Sequence, residues 1–288
     1  MTQKINNKIK ILRNKFSILI LFIILNLSPL FAQHKYTFSK FTNETFDFIK
    51  QPSKWDGNDY LKMVLVTVVG GLTMLVDQPI RDAVLRDDQR FYKSVPIIFG
   101  RVYGELYSPV VFFTGFGLYS VITGDMTAKK IAYEIGQASL YAGAINYVLK
   151  VAIGRARPNL NLGNQTYRPF SSLLNESNHS MPSGHSTAAF VISTVLSRNV
   201  KPVWLKVLFY VPALITMASR VYQDWHWTSD DLIGAAFGYY IATWVVDKHE
   251  KGDKSDTKDS KKGLMQRMQL QPNIMGGSYG LNLRIQLL

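Results

Sequence analysis

The sequence predicts an all-α protein: a bundle of six helices followed by a short C-terminal β-hairpin. Three observations carry that expectation. Six long apolar segments are separated by breaks rich in Gly, Pro, Asn and Asp. Hydrophobic residues make up 47% of the 288, rich for a soluble domain and low for a bundle immersed in lipid on every side. The period of the pattern changes from helical to strict alternation only near the end, where Leu281, Leu283, Ile285 and Leu287 interleave with Asn282, Arg284 and Gln286.

Residues 1–32 are expected to be a secretory signal peptide. Lys4, Lys8, Lys10, Arg13 and Lys15 precede the apolar run Phe16–Leu25, and Ala32 ahead of Gln33 offers a cleavage site. Leu30 is larger than the small residue such a site favours, so an uncleaved anchor is the alternative. Residues 33–60 form a polar lead-in with scattered aromatics, predicted to pack on the core and to be partly helical. The bundle, 61–247, begins with a helix over Leu61–Val76 that Asp77 and Pro79 stop. The mixed-charge stretch Arg81–Lys93 follows. A Gly- and aromatic-rich helix spans Val110–Ile122 and ends at Gly124. The third helix, Thr127–Val151, carries small residues at packing positions and Lys150 at its end. Arg157-Pro158 then forces extended chain, and Asn159–Ser180 is a long loop of the kind that rims functional sites. Helices over Ser183–Arg198, Val203–Ala218 and Ser229–Val246 complete the six. Residues 248–267 are a solvated charged linker, and 268–288 the hairpin, with Met268 and Leu270 facing the last strand across Gly276-Gly277.

Composition narrows function. The absence of cysteine excludes disulfides, thiolate chemistry and cysteine-ligated metal. The formal charge is +13, and losing the signal peptide removes five of those cations. The remaining positive balance suits an anionic lipid surface or a phosphorylated substrate. No nucleic-acid module is present, and export argues against such a partner. Most apolar helices are near or below the length that crosses a bilayer. Counting crossings places the third helix's end inside the cell, whereas Lys129, Lys130, Arg198, Lys201 and Lys206 favour the opposite topology. The expectation is an envelope protein whose bundle lies against or partly in the membrane on the periplasmic side, with an integral six-span protein as the alternative.

Chemistry concentrates in three blocks. In Ser180–Phe190 a helix opens at Pro182 or Ser183, and unpaired first-turn amides there attract an anion. Gly184 lets the anion approach the backbone, Ser183 offers a hydroxyl, and His185 a proton. Upstream, six residues separate Lys150 from Arg157-Pro158. Downstream come Ser219-Arg220, then His226, then Asp230. Lys150, Arg157 and Arg220 are fixed cations, and the forked arginines match phosphate oxygens.

The spacings Lys-x6-Arg-Pro, Pro-Ser-Gly-His and Ser-Arg-x5-His-x3-Asp resemble the tripartite signature of the type 2 phosphatidic acid phosphatases. That superfamily also includes vanadium haloperoxidases and bacterial acid phosphatases. The resemblance covers roughly Leu61–Val246. It implies a helical bundle with the active site at one end, His226 as the nucleophile, Asp230 orienting its ring, and His185 protonating the leaving oxygen. It implies phosphate binding by Lys150, Arg157, Ser183, Gly184 and Arg220. Arg155, at a helix end, is expected to be solvated or to meet carbonyls. His34 and His249 are expected to be solvated, His179 to be a surface loop residue with a pocket-lining place as the alternative, Asp224 to lie beside a nearby cation, and Tyr222, Trp225 and Trp227 to have packing or interfacial roles. No residue cluster has metal-ligand spacing beyond this set, so neither metal nor other cofactor is expected.

The function these residues support is a metal-independent phosphatase acting on a lipid phosphate or diphosphate through a phospho-histidine. A periplasmic acid phosphatase for soluble esters and a vanadate-dependent haloperoxidase are the alternatives. A non-catalytic envelope protein fits less well, since acid, nucleophile and cations are all present.

Overall fold

The structure, a computed structural model, describes residues 36–86, 93–171, 176–275 and 278–285. The expected signal peptide and the Gly276-Gly277 turn lie outside these residues. Helix α1 (Phe38–Ile49) opens at Thr37, whose hydroxyl accepts from the Lys40 amide at 3.1 Å, and lays Phe41 and Phe48 on the core. Helix α2 (Gly57–Met74) starts earlier than its apolar run, because the Asp56 carboxylate caps the amides of Asn58 and Asp59 at 2.9 and 3.0 Å. Asp77 and Pro79 do not end helical structure. They open α3 (Asp77–Arg86), bent 52° from α2, with Pro79 in a first turn that leaves its missing N–H without consequence.

Helix α4 (Val95–Tyr103) was not expected from the sequence. It lies tight on the later helix α9, where a Cβ at Gly100 would come within 2.5 Å of Ile215 and one at Gly104 within 2.1 Å of Thr216. The chain then turns 76° into α5 (Ser108–Thr123). Gly124 ends α5 at φ 74, Asp125 caps α6 (Met126–Ile153), and Gly154 ends α6 at φ 63. After the long loop come α7 (Gly184–Arg198), α8 (Val203–Leu208), α9 (Val211–Tyr222) and α10 (Thr228–Arg267). The predicted helix Val203–Ala218 is therefore two, broken ahead of Pro212. The predicted charged linker is helical, since α10 continues through it without a break. Beyond it, β1 (Met268–Met275) and β2 (Ser278–Ile285) run antiparallel with Met268 opposite Ile285.

The core is where α6, α7 and α10 meet, around Ile135, Ile192, Val195, Val245 and Val246. Backbones touch at one crossing: a Cβ at Gly234 would stand 2.4 Å from the Ser183 carbonyl, and one at Gly238 2.4 Å from that of Thr187. The spacing of two small residues four apart permits this approach. Thr187 seals it, its hydroxyl at 2.8 Å from the Ser183 carbonyl and 3.0 Å from that of Gly234. Outer faces are apolar. Leu65, Leu72, Val111, Ile122, Trp204 and Leu214 are all exposed, far more than a water-facing monomer shows. The stretch Val203–Tyr222 is long and apolar enough to cross a membrane, as are the bent pairs α2–α3 and α4–α5 if each is one span.

Two buried polar clusters pin the helices. At the end away from the motifs, His249 is buried, with Nδ1 3.2 Å from Glu134 and Nε2 3.2 Å from Glu44. Its expected surface position is therefore corrected. Burial works against its charge, but the two carboxylates hold its pKa above the ordinary value. At the motif end, Arg155 is fully buried, not solvated, and it meets one carbonyl as the alternative expectation had it, that of Asn164 at 2.8 and 3.1 Å. One guanidinium nitrogen donates to Asp230 at 2.7 Å and to the Ser229 hydroxyl at 2.7 Å, the other to Asp77 at 2.8 Å. Asp77 also accepts from the Ser229 amide at 2.9 Å. Replacing Arg155 with alanine strands two buried carboxylates, a loss of about 3–5 kcal/mol. We expect a fall of several degrees or more in the thermal unfolding midpoint of the purified protein. A midpoint within a degree of wild type would show that the ion cluster is not what holds the motif end together.

Candidate active site

The three motifs converge because the elements carrying them end at the same place. Lys150 lies in the last turn of α6, and Arg157 in the extended chain after Gly154. Gly184 and His185 open α7, Arg220 closes α9, and His226 lies in the turn before α10. Backbone pairing fixes the loops: the Arg157 amide donates to Ser177, Ser180 to Arg155, and Ser183 to Asp230, at 2.9–3.0 Å. Lys150, Arg157, Gly184, His185, Arg220 and His226 line one cavity.

His226 is buried, and its Nδ1 is 2.8 Å from the Ser180 carbonyl. A carbonyl can only accept, so Nδ1 carries the proton and Nε2 keeps its lone pair. Nε2 has no hydrogen-bond partner among the described residues and belongs to the cavity wall. The expected orienter is corrected here. Asp230 lies 3.9 Å from the ring, too far for a direct bond. It acts one step back, accepting from the Ser180 hydroxyl at 2.5 Å and the Trp227 amide at 2.9 Å. Burial pushes the His226 imidazole down to about 4, with Asp230 opposing and Lys150 and Arg157 assisting. Burial would also raise the Asp230 carboxyl, yet the Arg155 guanidinium and the Ser180 hydroxyl help hold it below the usual carboxylate range. Beside it, burial pushes Asp231 up to about 8, so a single carboxylate charge faces Arg155 from this turn.

The cations differ in how they are held. Lys150 donates to the His179 carbonyl at 2.5 Å, and burial, with Arg157 next, pushes its ammonium down to about 7. Arg157 uses Nε on the Glu176 carbonyl at 2.8 Å and lies under the Trp225 ring at 4.8 Å, while its buried Nη1 has no partner among the described residues. Trp225 is thus a wall of the cavity as well as a packing residue. Arg220 faces Glu105 at 3.8 Å, and the same carboxylate is 3.8 Å from Nε2 of His185. The two histidine rings are 5.7 Å apart, and burial, then Arg220, push His185 well below its ordinary pKa.

Ser183 is a second correction. Its hydroxyl caps α7 at 3.4 Å from the Ser186 amide, and the residue is fully buried instead of facing the cavity. His179, expected at the surface, is buried and lines the cavity. Asp224 pairs with Arg81 at 2.6 Å, and Trp227 is buried with its indole N–H on the Ala156 carbonyl at 3.0 Å. Sequence reasoning missed Glu105, Asp77 and Ser180. Only Ser180 carried a signal, its place beside the Pro-Ser-Gly-His block. Glu105 lies in the kink between α4 and α5, far upstream of every motif.

Residues 134–253 match the family model described as the PAP2 superfamily. The lipid A 1-phosphatase of Porphyromonas gingivalis is 32% identical over 122 residues, 41% of this chain and 24% of that protein. The match therefore spans about a quarter of that relative's length. Two solved structures are similar: the transmembrane PAP2-type phosphatidylglycerolphosphate phosphatase of Bacillus subtilis and LpxE of Aquifex aeolicus. The first has a TM-score of 0.48 at 22% identity, covering 66% of this chain and 96% of that one. The second has 0.43 at 20%, covering 62% and 93%. The segment that resembles the PAP2 superfamily, 134–253, holds all three motifs.

Proposed function

We propose that this protein is a metal-independent phosphatase of the bacterial envelope that hydrolyses a lipid phosphate monoester or diphosphate through a phospho-histidine. One observation carries the reading: a buried His226 whose tautomer is set by a carbonyl presents an unpartnered Nε2 to a cavity walled by Lys150, Arg157 and Arg220. Lipid is favoured over a soluble ester by the apolar outer helices and by the size of the cavity behind the phosphate seat. The P. gingivalis relative named for lipid A points to the same class. The loop end opposite the site carries Lys129, Lys130 and Arg198, which supports a periplasm-facing site.

In the first step the Nε2 lone pair attacks phosphorus while the ester P–O bond breaks, and His185 gives its proton to the departing oxygen. In the second, His185 takes a proton from water, the water oxygen attacks phosphorus, and the P–N bond breaks to release phosphate. Lys150, Arg157 and Arg220 hold the equatorial oxygens, and first-turn amides at Gly184 and His185 add donors. Both histidines are neutral in the resting site, as a nucleophile must be. A bound phosphate dianion reverses the field at His185, so the substrate arms its own acid, with Glu105 acting in the same direction.

Three outcomes test this. His226→Ala should abolish turnover, and labelled phosphate should be trapped on wild type after an alkaline quench but not on the variant. Label retained on the variant would remove His226 from the nucleophile's place. His185→Gln should slow alkyl phosphates at least tenfold more than nitrophenyl phosphate, because only a poor leaving group needs the proton. Equal slowing of both esters would assign the acid elsewhere, with the cavity-lining His179 next in line. Finally, Lys150 is charged below about 7 and neutral above it. The kcat/KM of wild type should fall as pH rises through that value, and Lys150→Arg should move that limb upward. A limb unmoved in Lys150→Arg would belong to another group.

A further inference from the structure

The cavity does not end at the phosphate seat. One face of α6 presents Tyr133, Gly136, Leu140, Gly143, Tyr147 and Lys150 at alternating steps of three and four, and all six line the cavity that holds His226. Its volume is about 1900 Å³, whereas pockets for drug-sized molecules run to roughly 300–1,000 Å³. Inside it Leu140 is 62% and Tyr147 49% exposed, apolar surface left open toward the groove. Val110 and Phe113 of α5 form the facing wall, and Phe113 leans on Gly136, where a Cβ would be 3.0 Å from its ring.

Gly143 is as open as Gly71, Gly115 and Gly117 in other helices, but of these four it is the one that lines the cavity. A Cβ there would meet nothing within 4 Å, and no positive φ demands glycine. A helix-interior glycine costs about 1 kcal/mol relative to alanine, so neither packing nor backbone conformation explains it. Open space in the groove does. From Lys150, Gly143 lies ~10 Å and Tyr133 ~25 Å along the helix at the α-helical rise. One leaflet's share of a bilayer's hydrocarbon core is ~15 Å, so the groove is long enough for a whole acyl chain. Its far end is covered by Tyr36, whose ring meets that of Tyr133 at 5.0 Å. The α1 helix that follows is tied to α6 by Glu44 accepting from Gln137 at 2.9 Å.

We propose that one hydrocarbon chain of the substrate lies along this face of α6, that Gly143 is the position that lets it pass, and that Tyr36 with Tyr133 sets the longest chain accommodated. The proposal rests on the lipid-phosphatase reading above. It makes α6 a ruler, with phosphate held at Lys150 and chain length read toward Tyr133.

The test uses the full-length protein in detergent with dihexanoyl, didecanoyl and dioleoyl phosphatidate, and nitrophenyl phosphate as a soluble reference. Gly143→Leu fills the groove about 10 Å from the seat and, with a better helix former in place of glycine, keeps the helix. Its kcat/KM ratio of dioleoyl to dihexanoyl substrate should fall at least tenfold, the effect of withdrawing two or three methylenes from an apolar site. Leu140→Trp blocks the groove one turn farther on, and should penalise the dioleoyl substrate more than the didecanoyl one. Ratios equal to wild type in both variants overturn the groove while leaving the phosphatase intact. Wild type that cleaves nitrophenyl phosphate and no phosphatidate overturns the lipid reading itself, and the groove with it.

Discussion

The buried contact of Arg155 with Asp230 and Asp77 is the interaction on which the site depends. It joins the chain after α6, the first turn of α10 and the start of α3. Three charges leave water together, which is tolerable only because every one is paired and hydrogen-bonded. Asp230, so held, fixes the Ser180 hydroxyl, and the Ser180 carbonyl fixes the proton on Nδ1 of His226. Nε2 of His226, the proposed nucleophile, is therefore aimed by one carboxylate, one hydroxyl and one carbonyl. Arg155 never reaches the cavity, yet its guanidinium decides where Asp230 stands.

A second constraint works at the level of the backbone. Gly234 and Gly238 let α10 lie against the first turns of α7, so Ser183 N–H reaches the Asp230 carbonyl at 2.9 Å. This contact brings the general-acid candidate and the nucleophile candidate into one wall, with rings 5.7 Å apart. The cost of gathering Lys150, Arg157 and Arg220 around buried side chains appears as a depressed Lys150 and two depressed histidines. The same burial that lowers the imidazole pKa values keeps the lone pair of the nucleophile candidate free at neutral pH.

The motif residues were legible because their chemistry is local. Lys150, Arg157, His185, Arg220 and His226 all line one cavity, each carried there by a helix end or the turn beside it. Helix ends were legible where a stop is spelled out, as at Gly124, and misread where the same residues could mean start or stop. Asp77-Gln-Pro is such a case: the residues that end one helix by composition open the next by geometry. The break before Pro212 and the length of α10 were missed for a related reason. Charge density separates solvated from buried faces, but lysine- and aspartate-rich chain is still able to form helix.

Three ordered motifs, an apolar pattern with helical period and an absence of cysteine come from the sequence alone. They led to an all-α expectation, to the proposal that the site takes an anion and, through the family resemblance, to its nucleophile candidate. Contacts between distant segments were decided only by tertiary structure, because no spacing encodes them. Arg155 turns from a solvated helix end into a buried ion pair when Asp77, far upstream, packs against it. Ser183 turns from phosphate donor to helix cap, Asp230 from direct to indirect partner of His226, and His249 from surface to core. Glu105 reaches the site only through the kink between α4 and α5. In each case a charged or polar side chain had many possible partners in the sequence, and burial selected the one arrangement that left it paired.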